Sequence, residues 1–358
     1  MDSRSVTLDE FIAECPFWGD WEVSYTDGTH LPKNEYVKLG EISIDASQEI
    51  AQNYPILPFV FRPVTGQQIE SRFSELSEEK KQANRSQKFI QDELVDSLVR
   101  TGLLRPTFCL MEEQSVEMRF LEVMNRLSKH GYLILIADTS ALRRAAISFL
   151  HKTLPEVLIW TVVPVFVMTE IQRQVKELNK KWGKTARGAD SHLGNCKVLR
   201  QRPQVSCISR ELNHIRQWRP LEMLTTLPEH LGQSNGNSNI DRLIIESVKN
   251  LKRDRGLHRG VYLLTGDKDM ASLATLENQG SLHIGVPAVP SGMSSVRYDS
   301  HNGRLVLTPV HYLLWDLTQV FSTICVEHKE CSRKYKLVYY SQVRGGFFAH
   351  DVMEIREG

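Results

Sequence analysis

Several things are scarce in this chain. Six cysteines in 358 residues are too few for a disulfide scaffold, so a reducing compartment is the expected setting. No stretch reaches the roughly 18 consecutive apolar residues of a membrane span. The longest, Val157 to Met168, carries Pro164 and reads as a buried strand feeding a helix. The opening residues, Met1-Asp2-Ser3-Arg4-Ser5-Val6-Thr7, lack the apolar core of a secretory leader. Charge of one sign is not in excess either: the formal net charge is +1, so any attraction to nucleic acid has to be local. Internal repeats are absent, and serine or cysteine triads find no support. A soluble, cytoplasmic protein without membrane association is expected. Its 358 residues, 41 % of them hydrophobic, suffice for two or three domains.

What is present falls into three parts. Residues 1–130 begin with a stretch punctuated by aromatics and turn residues (Trp18, Trp21, Tyr25, Pro32, Gly40, Pro55, Pro58, Pro63), which predicts short strands and loops. A helical half follows, with Val116, Phe120, Val123, Met124 and Leu127 at helical spacing before Gly131. This N-terminal α+β region carries no chemical motif. Residues 131–290 alternate strand and helix. Tyr132 to Ala137, Leu158 to Val163, Val261 to Leu264 and His283 to Val286 read as strands. One helix is expected through Leu142, Ala145, Ala146, Phe149 and Leu150, a second after Pro164 at its first position, and a third through Ile240, Leu243, Ile244, Val248 and Leu251. Such alternation predicts an α/β unit with a central parallel sheet covered by helices. Residues 291–358 read as an appendage: a helix after Pro309 and a β-hairpin turning near Gly345-Gly346.

Acidic residues recur where the strands of the middle part end. Asp138 follows one strand and opens a helix, a place where aspartate also serves as an N-cap. Glu170 sits just beyond Val165-Phe166-Val167-Met168, which is apolar on every side, so its carboxylate needs a nearby cation, either a metal or an arginine. Asp241 lies in the first turn of its helix, where the helix dipole alone would favour it. Asp267 and Asp269 share one glycine turn and repel one another unless something positive lies between them. Together these acids gather at the edge of the sheet where ligands bind in open α/β folds. Hard divalent cations take such oxygen ligands, and a pair of them roughly 3.5–4 Å apart can activate water and stabilise a leaving oxygen.

Four stretches resemble the PIN-domain nucleases: Leu135-Ile136-Ala137-Asp138-Thr139-Ser140-Ala141-Leu142, Val163 to Ile171, Asn239-Ile240-Asp241-Arg242-Leu243-Ile244-Ile245-Glu246, and Leu263-Leu264-Thr265-Gly266-Asp267-Lys268-Asp269-Met270. Their order and context carry the resemblance over about 131–287. It implies a PIN-like, Rossmann-like fold and an acidic set of Asp138, Glu170, Asp241 and Asp267 holding Mg²⁺ or Mn²⁺, with Asp269 a fifth. Ser140, Asn239 and Thr265 would be polar helpers. The implied activity is phosphodiester hydrolysis, as an endoribonuclease on single-stranded or structured RNA. The long span from Glu170 to Asp241 looks more like the larger PIN domains of RNA decay and processing than the compact toxins. Homo-oligomers, and protein partners through the N-terminal region, are compatible with it.

Residues 171–219 hold twelve Lys or Arg against three acids, with Trp182 and Trp218 interleaved. Lys180, Lys181, Lys184 and Arg187 are the expected grip on a phosphate backbone; a solvated helix face is the plainer alternative. His192, Cys196, Cys207 and His214, like Cys325, His328 and Cys331, match no usual zinc spacing and read as ordinary thiols and histidines. A non-catalytic nucleic-acid-binding or scaffold protein on the same fold is the second reading. A haloacid-dehalogenase-type phosphatase would need a second aspartate where Ser140 stands.

Overall fold

The computed structural model describes residues 3–7, 10, 19–25, 36–45, 58–76, 80–111, 120–167, 202–218, 220–224, 240–256, 260–299, 303–321, 323–331, 333–344 and 347–357. Two compact units emerge, one drawn from Met1–Arg105, Lys181–Gln204 and Ala288–Gly358, the other from Pro106–Lys180 and Val205–Pro287. The first unit begins with β1 (Ser3–Val6), β2 (Trp21–Tyr25), β3 (Val37–Ile44), β4 (Phe59–Pro63), α1 (Gly66–Leu76) and α2 (Lys80–Thr101). The second contains β5 (Thr107–Met111), α3 (Phe120–Leu127), β6 (Tyr132–Ala137), α4 (Thr139–Arg143), α5 (Ala146–Thr153) and β7 (Leu158–Pro164). It continues with α6 (Arg202–Trp218), β8 (Leu221–Leu224), α7 (Ile240–Arg255), β9 (Val261–Thr265), α8 (Lys268–Leu276) and β10 (Ser281–Gly285). The chain then completes the first unit with β11 (Met293–Ser294), β12 (Val296–Asp299), β13 (Arg304–Leu307), α9 (Val310–Phe321), β14 (Thr323–His328), β15 (Lys334–Arg344) and β16 (Phe347–Glu357).

The second unit is an α/β sheet in the order β5-β10-β9-β6-β7-β8. Its strands are parallel except β5, which pairs antiparallel with β10. Leu133 to Ala137 of β6 are all buried, as an apolar run in a strand covered on both faces should be. Each Leu or Ile so buried contributes roughly 1.5–3 kcal/mol. Helices α7 and α8 both pack on β9, the strand beside β6. Although β5 precedes residue 131, it belongs to this sheet. Its Phe108 ring lies 6.2 Å from Phe120 on α3 and 5.7 Å from Phe149 on α5, and this aromatic cluster seats the edge strand.

Local details depart from the sequence-based expectations. The helix through Leu142 to Leu150 is two helices, broken at Ala145, which takes the left-handed φ of 52°. Ala145 has no side chain to cap α5. Glu211 on α6 does this instead, accepting from the Ser148 N–H at 2.8 Å and from the Ser148 hydroxyl. Pro164 ends β7 rather than opening the helix, and the last strand runs Ser281–Gly285 because Ser281 pairs with both Leu263 and Met111.

The first unit holds an antiparallel sheet in the order β1-β16-β15-β14-β2-β3-β4-β11. Residues 291–358, read from the sequence as an appendage, therefore share one sheet with strands from the chain's beginning. The expected hairpin is β15 and β16, and the expected helix is α9. Helix α9 packs on α2, where the buried Asp316 accepts from Arg100 at 2.8 Å and from the Ser97 hydroxyl at 2.6 Å. In the Cys325-His328-Cys331 segment, His328 Nδ1 accepts from the Glu330 and Cys331 N–H groups, while its ring meets Trp21 edge-on at 4.7 Å. Among the described residues no helix is long and apolar enough to cross a membrane.

Candidate functional site

Strands β6 and β9 lie side by side and parallel, so the segments that leave them emerge at the same edge of the sheet. The Asp138 N–H donates to the Leu264 carbonyl at 3.1 Å, carrying the ladder one residue past β6. Extended backbone at Asp138 (φ −88°, ψ 175°) then turns into α4, and its Oδ1 accepts from the Ala141 N–H at 2.8 Å. The aspartate is thus an N-cap, and also a hub. The Ser140 hydroxyl donates to both carboxylate oxygens at 2.8 and 2.9 Å, and the Thr265 hydroxyl donates to Oδ2 at 2.5 Å.

These contacts tie the two strand ends together. Ser140 Oγ also accepts from the Gly266 N–H at 2.6 Å, and Thr265 Oγ1 accepts from the Asp267 N–H at 2.9 Å. Asp267 caps α8 in its turn, accepting from the N–H groups of Asp269 and Met270 at 2.8 and 3.3 Å. Gly266 is closely approached: a Cβ there would lie 2.5 Å from Arg144 Nη1 and 3.0 Å from Ser140 Oγ, so the guanidinium would have to shift.

The electrostatics follow from burial. Asp138 is 5 % exposed, and loss of water raises its carboxyl pKa above the ordinary value. Hydrogen bonds from Thr265, Ala141 and Ser140 oppose that rise, and the Asp267 charge adds to it. Among the described residues no cation forms an ion pair with Asp138. Its two carboxylate oxygens each accept two hydrogen bonds, all from uncharged donors.

The structure therefore brings Asp138, Ser140, Thr265 and Asp267 together. Asp269 lies in the first turn of α8 with its side chain exposed. Asp241 is half-buried in the first turn of α7. Glu170, Asn239, Lys180, Lys181, Lys184 and Arg187 lie outside the described residues, as do His192 and Cys196. Cys207 and His214 are both on α6, where burial lowers the His214 pKa. Among the described residues no three His, Cys, Asp or Glu side chains form a group able to hold a metal ion.

Two residues at this edge escaped the sequence reading. Arg144, at the end of α4, donates from Nη1 to the carbonyls of Gly266 at 3.3 Å and Ile284 at 2.8 Å. His283 on β10 hydrogen-bonds the Gly266 backbone; its pKa is lowered by burial and by the charges of Arg144 and Lys268. The available signal was a pair of arginines, Arg143 and Arg144, inside the apolar run Ala141-Leu142 to Ala145-Ala146-Ile147.

Comparison with known proteins agrees with this architecture. None of the curated proteins matches the chain. A solved structure described as a domain of a functionally unknown protein from Methanocaldococcus jannaschii DSM 2661 is similar at 15 % identity, over 44 % of this chain and 94 % of that one. Its TM-score of 0.29 is too low to carry an argument. The family model of the PIN domain matches residues 134–280, which run from within β6 through α8 and contain the whole Asp138–Asp267 cluster. PIN domains are in general nucleases that bind nucleic acid and use divalent metals. By this match and its α/β sheet, residues 134–280 of the chain form a PIN-like domain, with nuclease-type function in general.

Proposed function

We propose that this protein is a Mg²⁺- or Mn²⁺-dependent endoribonuclease that hydrolyses single-stranded or structured RNA. Asp138, Glu170, Asp241 and Asp267 hold the cation, and Asp269 assists. The observation that carries this reading is the buried Asp138 carboxylate beside Asp267, held by neutral donors rather than by an arginine or lysine. A carboxylate raised by loss of water, and further by a neighbouring acid, favours a proton or a cation, and hard divalent ions suit all-oxygen donors. Such an ion supplies an activated water and charge relief at the leaving oxygen.

The chain's own residues do the rest. Ser140 and Thr265 fix the rotation of the Asp138 carboxylate. The cap bonds to Asp269 and Met270 fix Asp267. Lys180, Lys181, Lys184 and Arg187 bind the phosphate backbone, and Asn239 orients ligands or water. On this reading, residues 1–130 and 291–358 serve substrate choice or regulation.

The test incubates labelled single-stranded RNA and DNA with the purified protein in Mn²⁺ or EDTA, beside Asp138→Asn and Asp267→Asn. Cleavage of RNA in Mn²⁺ alone is expected. It should fall at least about a hundredfold in either variant, roughly 2.7 kcal/mol of barrier. Metal-independent cleavage, or full activity in either variant, would sink the proposal. RNA binding without any cleavage would favour the scaffold reading instead.

A further inference from the structure

We propose that Arg144 is a positioning residue: its guanidinium clamps the Gly266 carbonyl, keeps the Asp267 carboxylate in register with Asp138, and thereby sets affinity for a divalent cation. This inference rests on the reading of Asp138 and Asp267 as cation ligands.

The geometry comes from one short helix used at both ends. At the start of α4, Asp138 reaches β9 through the Thr265 hydroxyl; at its end, Arg144 reaches the next two residues of the chain path through the Gly266 carbonyl. Arg144 also closes the helix, its N–H donating to the carbonyls of Leu142 and Ser140. Gly266 is consequently held through both of its peptide groups. Its N–H goes to Ser140 Oγ at 2.6 Å, and its backbone is also met by Arg144 and His283. A glycine fixed through both neighbouring peptides leaves Asp267 little freedom to swing away from Asp138.

Why arginine is needed follows from its shape. One planar Nη1 carries two hydrogens, and here it reaches two carbonyls at once, Gly266 after β9 and Ile284 on β10. The adjacent strand is thereby drawn into the clamp. A lysine ammonium keeps the charge but has no rigid fork to span the two acceptors. The glycine belongs to the same device, since any Cβ would push the guanidinium off its carbonyl.

The test uses the full chain with Arg144→Ala and Arg144→Lys, and Asp316→Ala in the first unit as a purely destabilising control. Two quantities are measured: hydrogen exchange of the 264–270 segment without metal, and the Mn²⁺ concentration at half-maximal thermal stabilisation. Arg144→Ala should speed exchange in that segment and raise the Mn²⁺ midpoint about ten- to a hundredfold, as loss of residues that orient metal ligands does. Arg144→Lys should recover part of both, and Asp316→Ala should lower the melting temperature without moving the midpoint. Wild-type exchange and midpoint in Arg144→Ala would overturn the inference. Should that variant not fold, a wild-type midpoint in Arg144→Lys would overturn it equally. A wild-type protein with no Mn²⁺ response defeats the cation reading, and with it the affinity half of this inference, whereas the exchange measurement still decides the clamp.

Discussion

Asp316 in the antiparallel unit and Asp138 in the parallel one are buried to a similar degree, at 2 % and 5 % exposure, yet their surroundings are opposite. Asp316 faces the Arg100 guanidinium at 2.8 Å and the Ser97 hydroxyl, so its charge is matched across two packed helices. Asp138 has hydroxyls, one backbone N–H and the charge of Asp267. Glu211 stands between the two: it is buried, raised in pKa by loss of water, and occupied in capping α5 through Ser148. Burial of a carboxylate alone therefore says little about function. What differs between these acids is whether a cation of the chain neutralises the charge or only uncharged donors hold it.

Breaking the matched pair should have the largest effect on stability. Asp316→Ala leaves Arg100 buried without its partner and should cost roughly 3–5 kcal/mol in denaturant unfolding, whereas Asp316→Leu with Arg100→Met should restore most of it. An equally large loss in the double variant would show that the pair does more than neutralise itself. The unmatched carboxylate should respond to metal instead. At Mn²⁺ a hundredfold above its dissociation constant, wild type should gain about 2.7 kcal/mol, and Asp138→Asn should lose most of that gain. A melting temperature indifferent to Mn²⁺ would erase the contrast with Asp316.

The smallest effect concerns pH. Asp138 and Glu211 both have folded pKa values raised above the ordinary carboxyl value, so the native state holds their protons more tightly than the unfolded chain. Their stabilisation is complete below the unfolded pKa and is lost as pH rises through the raised folded value. Without metal, unfolding free energy should fall over that window. Glu211→Gln should flatten the fall in part, and Glu211→Gln with Asp138→Asn further. A wild-type pH slope in the double variant would show that other groups govern it.

Much of the parallel unit was legible in the sequence because its signals act over a few residues. Leu133 to Ala137 can hardly be anything but a doubly covered strand, and Asp138 and Asp267 each precede a helical stripe as caps do. Capping and periodicity need no knowledge of the rest of the chain. Long-range pairing does. The place of β5 beside β10 depends on Phe108 meeting Phe120 and Phe149, and the break at Ala145 depends on Glu211, sixty-three residues beyond Ser148. The sheet that joins β1 to β16 and β2 to β14 links opposite ends of the sequence. Arg144 falls in the same class, since its acceptors are 122 and 140 residues away.

Local chemistry, then, was determined by the sequence itself: which residues form strands, which aspartates open helices, and where a glycine turn bears acid. Only the tertiary structure decided which of those ends meet, which buried charge is neutralised and which is left open. The physical reason is that a cap or an alternating face gains its free energy within one turn or strand. A contact between distant residues forms only when the packing of the whole unit offsets the entropy of closing the loop between them.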